Sequence, residues 1–470
     1  MTTTAATRLS TTARHPWALA AAAGDPAYRA FYRVFADREL PDRFERTLPE
    51  VFPDQAPGSF THVDGVGWVW TTFNDYQWDL DWSNPDVFEA MLTVVLVLAN
   101  RGIEVLRLDA APFLWKREGT DSQNQPEVLL VLQALRACVA VAAPGVRFKA
   151  EAIVAPQQLV AYLGAHDRFR PECDLAYHNQ LMVMLWSTLA TRDVTLARQS
   201  LTSLRPAPSS TAWVTYLLPR RHRLGGVRRG RARRRPRPVG PSPVPQRLLL
   251  RRPPRLLRQR RPLPAHQPAH RRQPHLGDGG RPLRARNGPF GRRRAGERHR
   301  LRRLLTLYSV VYSFGGIPLL YMGDEFALPN DERWAQVTGQ AEDNRWMHRP
   351  RMVWAAQRRH DPASVEGRAF AGIAGMAAAR ARLAVLQSGT GPEVLDTGDR
   401  RVLAFARRHP GASPFIALAN FSDDPVRLPR ETALPGLSSG ARIVASSEST
   451  ELTAYDVALP SWGHAWVADL

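Results

Sequence analysis

Two short apolar stretches joined by one amphipathic segment restrict this chain more than any other feature. The first, Gly102 to Phe113, reads GIEVLRLDAAPF. Its Ile103, Val105, Leu106 and Leu108 form a largely β-favouring run, which predicts a buried strand. The second, Val146 to Val154, reads VRFKAEAIV and has the same character. Between them, Pro126 to Val141 carries apolar residues at Val128, Leu129, Leu132, Leu135 and Val139, a helical spacing. Strand, helix and strand in that order make a βαβ unit with parallel strands. Each strand carries a carboxylate towards its end, Asp109 and Glu151. Arg107 precedes Asp109 by two positions, so the two side chains leave a strand on one face.

A charged pair on the inner face at the C-terminal end of a strand is where a β/α barrel keeps its chemistry. Taken alone, Asp109 has a plainer reading, a residue that ends a strand and caps the next helix. The second carboxylate shifts the balance. Two carboxyl groups on adjacent barrel strands can flank one glycosidic bond, one as nucleophile and the other as proton donor.

With 470 residues and 44% hydrophobic content, the chain is long enough for a large core and two domains. It holds no run of about 18 apolar residues, and its Thr-rich start lacks an apolar leader core, so a cytoplasmic location is expected. The two cysteines, Cys138 and Cys173, give no metal or disulfide spacing, and no metal or cofactor is expected. The net charge of +21 is concentrated in one block. Leu218 to Arg303 holds about 29 Arg, no Lys and two acids, Asp278 and Glu297, a local charge of about +27. The remainder is slightly acidic, at about −6.

Along the chain, Arg14 to Phe35 reads as helix passing into loop, and Pro41 to Pro85 as mostly irregular. That loop region ends in WVWTTFNDYQWDLDWSNP, where rings alternate with Asp, Asn and Gln. Such a pattern suits a sugar-binding wall, and equally a packed loop with buried aromatics. Val87 to Asn100, Leu181 to Leu204, Leu304 to Phe314 and Ser364 to Leu386 read as helices. Cys173 to Tyr177, Ala212 to Leu217 and Ile317 to Tyr321 read as strands. The expected organisation is 1–85, the end of an N-terminal barrel part with a substrate-binding loop region; 86–217, βα units bearing the carboxylates; 218–302, an Arg/Pro-rich disordered block; 303–390, a last βα unit; and 391–470, a small all-β domain of short alternating strands.

Several strings together resemble the amylosucrases, sucrose-using members of the alpha-amylase family of glycoside hydrolases. They are AAGDP at Ala22 to Pro26, WVWTTFNDYQWDLDWSNP, GIEVLRLDAAPF, FKAEAIV, GGIPLLYMGDE and EDNRWMHRPR. The similarity covers about Arg14 to Leu217 and Leu304 to Leu470. It implies an α/β fold, an incomplete (β/α)₈ TIM barrel followed by an all-β domain. It further implies Asp109 as the nucleophile that takes glucose from sucrose, Glu151 as acid and then base, and Arg107 as the residue that orients Asp109. Phe73 and Gln77 match positions near the glucosyl site, and Arg345 matches an arginine that pairs with an acid closing the pocket floor. Sucrose and an α-glucan acceptor are the implied partners, extended by one glucose with retention through carboxylates about 5 Å apart. Within the same family, hydrolysis and sucrose isomerisation are the alternatives.

The chain departs from that pattern in two places. The N-terminal helical domain, the first barrel strands and an Asn-His-Thr motif have no counterpart, and the acid expected to partner Arg345 is absent with them. After AWVTYL the family carries an Arg-Cys-His-Asp-Asp-Ile-Gly motif, whereas here the text runs LLPRRHRLGG. Synonymous codons for Leu218 to Gly226, read one base on, spell Cys-His-Asp-Asp-Ile-Gly-Trp-Ala. The same slip makes Arg255 to Gln259 compatible with Gly-Ser-Phe-Ala-Asn, and Leu263 to Pro282 compatible with further amylosucrase-like text. The block therefore reads as out of frame, with the frame restored near Arg302. The rival is a genuine basic insert binding nucleic acid non-specifically, although Phe290 is the block's only aromatic.

Overall fold

A computed structural model describes residues 4–7, 10–51, 57–164, 172–204, 207–208, 210–217, 289–331, 333–337, 339, 344–352, 354, 358–387 and 390–469. Its centre is a sheet of six strands in spatial order β1 (Thr4–Thr7), β2 (Val105–Leu108), β3 (Arg147–Ala150), β4 (Leu175–Tyr177), β5 (Ala212–Tyr216) and β6 (Ile317–Leu319). Every pairing is parallel. Among the described residues nothing pairs β6 to β1, so the sheet is an incomplete barrel. The register puts Arg107 opposite Lys149 and Leu108 opposite Ala150. Leu106, Leu108, Phe148 and Ala150 are at most 2% exposed and face the helices. Alternation then turns Arg107 and Lys149 to the inner face.

The helices are α1 (Pro85–Asn100), α2 (Pro126–Ala142), α3 (Asn179–Thr191), α4 (Thr195–Thr202), α5 (Pro289–Ser313) and α6 (Val365–Arg382). The Asn84 side chain accepts the Asp86 amide and Pro85 follows at the first helical position, which starts α1. Val87, Met91 and Val95 then bury one stripe of that helix. In α2 the buried residues are Val128, Leu132, Leu135 and Val139, four of the five that carried the helical spacing. All seven pack in one core with Leu106 and Phe148 of the sheet.

Three stretches differ from expectation. Arg192 adopts φ 58°, which ends α3, and the Asp193 carboxylate accepts the Thr195 amide to start α4, so one expected helix is two. The last turns of the Arg-rich block are helical, since α5 starts at Pro289 rather than Leu304. Arginine is a good helix former. Leu301 is buried, and Arg303 stacks 4.5 Å from the Trp462 ring and pairs with Asp423 at 3.0 Å. The rest of the block, with its out-of-frame and nucleic-acid readings, lies outside the described residues. Within Pro41 to Pro85, Phe60–Val63 and Gly67–Trp70 form a hairpin extended by Val34–Phe35, and Gln77–Asp79 pairs with Ser10–Thr12. A Cβ on Gly67 would lie 2.5 Å from the Phe35 carbonyl oxygen, so only glycine fits there.

The C-terminal part is all β. Strands β7 (Glu393–Leu395), β8 (Val402–His409), β9 (Ala412–Asn420), β10 (Val426–Pro429), β11 (Arg442–Ser446), β12 (Glu451–Leu452), β13 (Asp456–Leu459) and β14 (His464–Ala468) make two antiparallel sheets, ordered β7-β8-β9-β14-β11 and β10-β13-β12. Phe405, Phe415 and Trp466 share a core with Leu307 and Val311 of α5 and with Ile373 and Met376 of α6. Among the described residues no helix is long and apolar enough to cross a membrane.

Candidate active site

Asp109 and Glu151 each stand one residue beyond their strand, at the C-terminal edge of the sheet. The parallel ladder continues past the strands, with the Glu151 amide on the Leu108 carbonyl at 2.9 Å and the Ala111 amide on the Glu151 carbonyl at 3.2 Å. Ala110 takes a left-handed φ of 53°, which turns the chain sharply after Asp109. That turn aims the Ala110 amide at Glu151 Oε2, 2.9 Å away.

Arg107 joins the two acids. One guanidinium nitrogen pairs with Asp109 Oδ1, and Nη2 lies 3.0 Å from Glu151 Oε1. These three side chains are a quarter to a third exposed, 24%, 33% and 24% in the order Arg107, Asp109, Glu151. Burial pushes the Glu151 carboxyl above its ordinary range, opposed by Arg107, with the adjacent Asp109 adding to the rise. Two carboxyl groups on adjacent strand ends, one of them held above its ordinary range, can divide the labour of nucleophile and acid that a retaining glycosidase uses.

Of the expected residues, the structure joins Arg107, Asp109 and Glu151 directly. Phe73 packs edge-on against Phe113, 5.3 Å between centroids, and so borders the loop that follows Asp109. Gln77 is held through its side-chain oxygen by the Asn74 amide, within the loop that carries Phe73. Arg345 stands in the short turn Asn344–His348, and its side chain lies outside the described residues. The tryptophans once open to a sugar-wall reading, Trp70, Trp78 and Trp82, are 1%, 2% and 5% exposed, so for them the packed-loop reading holds. A cleft of about 420 Å³ is lined by Asp121, Gln123 and Asn124 of the loop after β2, by Val154 and Gln158 after β3, and by Arg46 and Thr47; neither Asp109 nor Glu151 lines it.

Sequence reasoning missed both lysines of the chain, Lys116 and Lys149. Lys116 is buried, with Nζ 2.6 Å from Asp79 Oδ2, 3.2 Å from Thr72 Oγ1 and 4.9 Å from the Trp70 ring centroid. Thr72 also donates to Asp79 at 2.6 Å. This buried pair fastens the loop after Asp109 to the strand that starts at Gln77. Nothing in spacing announces a pair 37 residues apart. Lys149 was legible, since it precedes Glu151 by two positions, as Arg107 precedes Asp109.

No family model matches the chain. Trehalose synthase/amylase of Mycolicibacterium smegmatis is 35% identical over 148 residues, 32% of this chain and 25% of that protein. Glucosylglycerate phosphorylase of Escherichia coli is 31% identical over 172 residues, 37% of this chain and 29% of that protein. The matched part thus spans between a quarter and a third of the length of these curated relatives. Among solved structures, a trehalulose synthase superposes with TM-score 0.67 at 14% identity, covering 100% of this chain and 84% of the other. The trehalose-6-phosphate hydrolase of Bacillus licheniformis superposes with TM-score 0.66 at 12% identity, covering 98% and 82%. An alpha-amylase from H. orenii covers 98% of the chain with TM-score 0.62 at 14% identity. The fold is that of the alpha-amylase-type barrels with their C-terminal β-domain.

Proposed function

We propose that the chain is a retaining, carbohydrate-active enzyme that moves a glucosyl group between oxygen acceptors. The observation that carries this reading is Arg107 bridging two carboxyl groups at adjacent strand ends, one of them, Glu151, raised towards its protonated form. Asp109 attacks the anomeric carbon as the bond to the leaving oxygen breaks, and Glu151 gives that oxygen its proton. Glu151, now a carboxylate, takes the proton of the incoming hydroxyl while the acceptor oxygen displaces Asp109. Two inversions leave the configuration retained.

The finer reading is amylosucrase-like, with sucrose as donor, the end of an α-1,4-glucan as acceptor and fructose released. TTFNDYQWDL and NRWMHRPR support it, and Phe73, Gln77 and Arg345 are its substrate-binding residues. The second reading, disaccharide isomerisation, is supported by the trehalose synthase relatives. Both readings expect a His-Asp motif after β5, where the Arg-rich text begins, so this polypeptide turns over little sucrose until the frame is restored. The test is to resequence the gene from Thr211 to Leu304, then incubate both forms with sucrose, with and without glucan. A lengthened glucan with free fructose from the restored form supports the first reading, and an isomeric disaccharide supports the second. Measurable sucrose consumption by the unrestored chain sinks the out-of-frame reading, and no activity from the restored form on any α-glucoside sinks the enzyme assignment.

A further inference from the structure

The chain has only two lysines against about 62 arginines, and both lysines are buried at this site. Where arginine serves as the cation everywhere else, a buried lysine marks a place that takes a compact ammonium and not a planar fork. Lys116 has Asp79. Lys149 is different. It is 9% exposed, and among the described residues no carboxylate lies within ion-pair distance of it. Its neighbour is the Tyr177 ring, with Nζ 5.0 Å from the centroid, and the Arg107 guanidinium lies 6.0 Å from the same ring. Tyr177 in turn packs on Tyr216 at 5.1 Å. The Tyr216 hydroxyl donates to Asn179, and Asn179 donates to the carbonyl of Ala152, next to Glu151, at 2.7 Å.

The inner face therefore has two layers. Asp109 and Glu151 form the acid layer, and Arg107 and Lys149, register partners one step towards the strand starts, form the cation layer. Arg107 alone offsets one negative charge, whereas both carboxyl groups ionised carry two. A group that gives a proton in one half of a reaction and takes one in the other works best when neither form is greatly favoured. We propose that Lys149 is a positioning residue of the carboxylate pair, holding Tyr177 over the inner face and supplying the second positive charge to two acids that share one guanidinium. The role rests on the reading of Asp109 and Glu151 as the reacting pair. Arg107 on β2 and Asp109 just beyond it act directly on Glu151, and Lys149 on β3 and Tyr177 on β4 are the charged and titratable groups next to them on this face.

The test uses the full chain and needs no turnover. Lysine labelled with ¹³C at Cε gives two signals, and Lys116→Met assigns them. The Lys149 signal is expected to inflect across the pH interval in which Glu151 titrates, and to lose that inflection in Glu151→Gln. Labelling glutamate at Cδ, with Glu151→Gln for assignment, reads Glu151 itself. Its titration is expected to move upward in Lys149→Met and to stay near the parent in Lys149→Arg. A Lys149 signal indifferent to Glu151 overturns the proposal, as does a folded Lys149→Met in which Glu151 titrates unchanged. If Lys149→Met fails to fold, the parent signal and its Glu151→Gln control decide alone. Coupling in the full chain together with no glucosyl transfer by the frame-restored form would count against the enzyme assignment and leave the electrostatic coupling standing.

Discussion

His178 makes the fold acid-sensitive in a way that can be computed and removed. The ring is 1% exposed, 4.8 Å from Trp213 and 5.4 Å from Phe314. Its Nδ1 accepts the Leu181 amide at 3.2 Å and caps α3, so the proton of the neutral ring sits on Nε2. Burial lowers its pKa from 6.5 to about 3, and burial likewise lowers that of His464, beside Ser447, to about 4. In both, the folded value is depressed, so below 6.5 the unfolded chain binds protons that the folded chain refuses. Their contribution is complete above 6.5 and is lost as pH falls towards the folded values. Each site removes about 1.4 kcal/mol per pH unit, or about 2.7 kcal/mol at a pH near 4.5. The two together approach the whole stability of a typical domain, about 5–15 kcal/mol. His178→Asn keeps an acceptor for the Leu181 amide and removes the titration. Urea unfolding, followed by tryptophan fluorescence at pH about 7, 5.5 and 4.5, gives stability against pH for parent and variant. The variant starts lower at neutral pH because it forgoes two ring contacts. Its stability then falls less steeply, the two curves converging by about 1.4 kcal/mol per unit. Surface carboxylates contribute equally to both and drop out of the comparison. Parallel curves would refute the assignment of His178 as a buried, neutral residue.

Two further outcomes follow from the same site. Lys116→Met leaves Asp79 buried without its cation and is expected to cost about 3–5 kcal/mol in urea unfolding, most of it recovered when Asp79→Leu is added; a loss below about 1 kcal/mol would show the pair to be inert. Glu151 has a folded pKa raised above its ordinary 4.5, so the parent is fully stabilised below that value and loses stability as pH rises through the folded one. Glu151→Gln escapes the loss and should melt higher than the parent at pH about 8 while matching it near pH 4, as read by calorimetry; equal melting at both would contradict the raised carboxyl.

The carboxylates and Arg107 were legible because they obey strictly local rules. Strand alternation puts residues two apart on one face, and short apolar runs mark where strands end. The same rule applies to Lys149, two positions before Glu151 in FKAEAIV, although the sequence reading passed it over, and it does not say what the ammonium meets. Its neighbour Tyr177 comes from another strand. The Lys116–Asp79 pair was beyond reach for that reason too, since a buried ion pair is chosen by tertiary packing and leaves no periodic trace. The hairpin from Phe60 to Trp70 was missed although Asp64-Gly65 is a turn signal, because its strands are only four residues each and lie in a stretch dense in Pro, Gly and Asp. The break at Arg192 was hidden in an apolar pattern that runs on through Leu201. The start of α5 was masked by a composition that looks unlike any helix until Leu301 and Arg303 find the β-domain.

The single guanidinium shared by Asp109 and Glu151 has a consequence for how the site tolerates change. Removing either carboxyl alters the other's surroundings, because the freed end of Arg107 swings its full charge onto the survivor. Substitutions at 107, 109 and 151 should therefore fail to add: any two together cost far less than the sum of their separate effects. To selection, such a trio is one locus with three addresses. The first loss removes most of what the other two can still lose, and exchanging one member without the others has no gradual route.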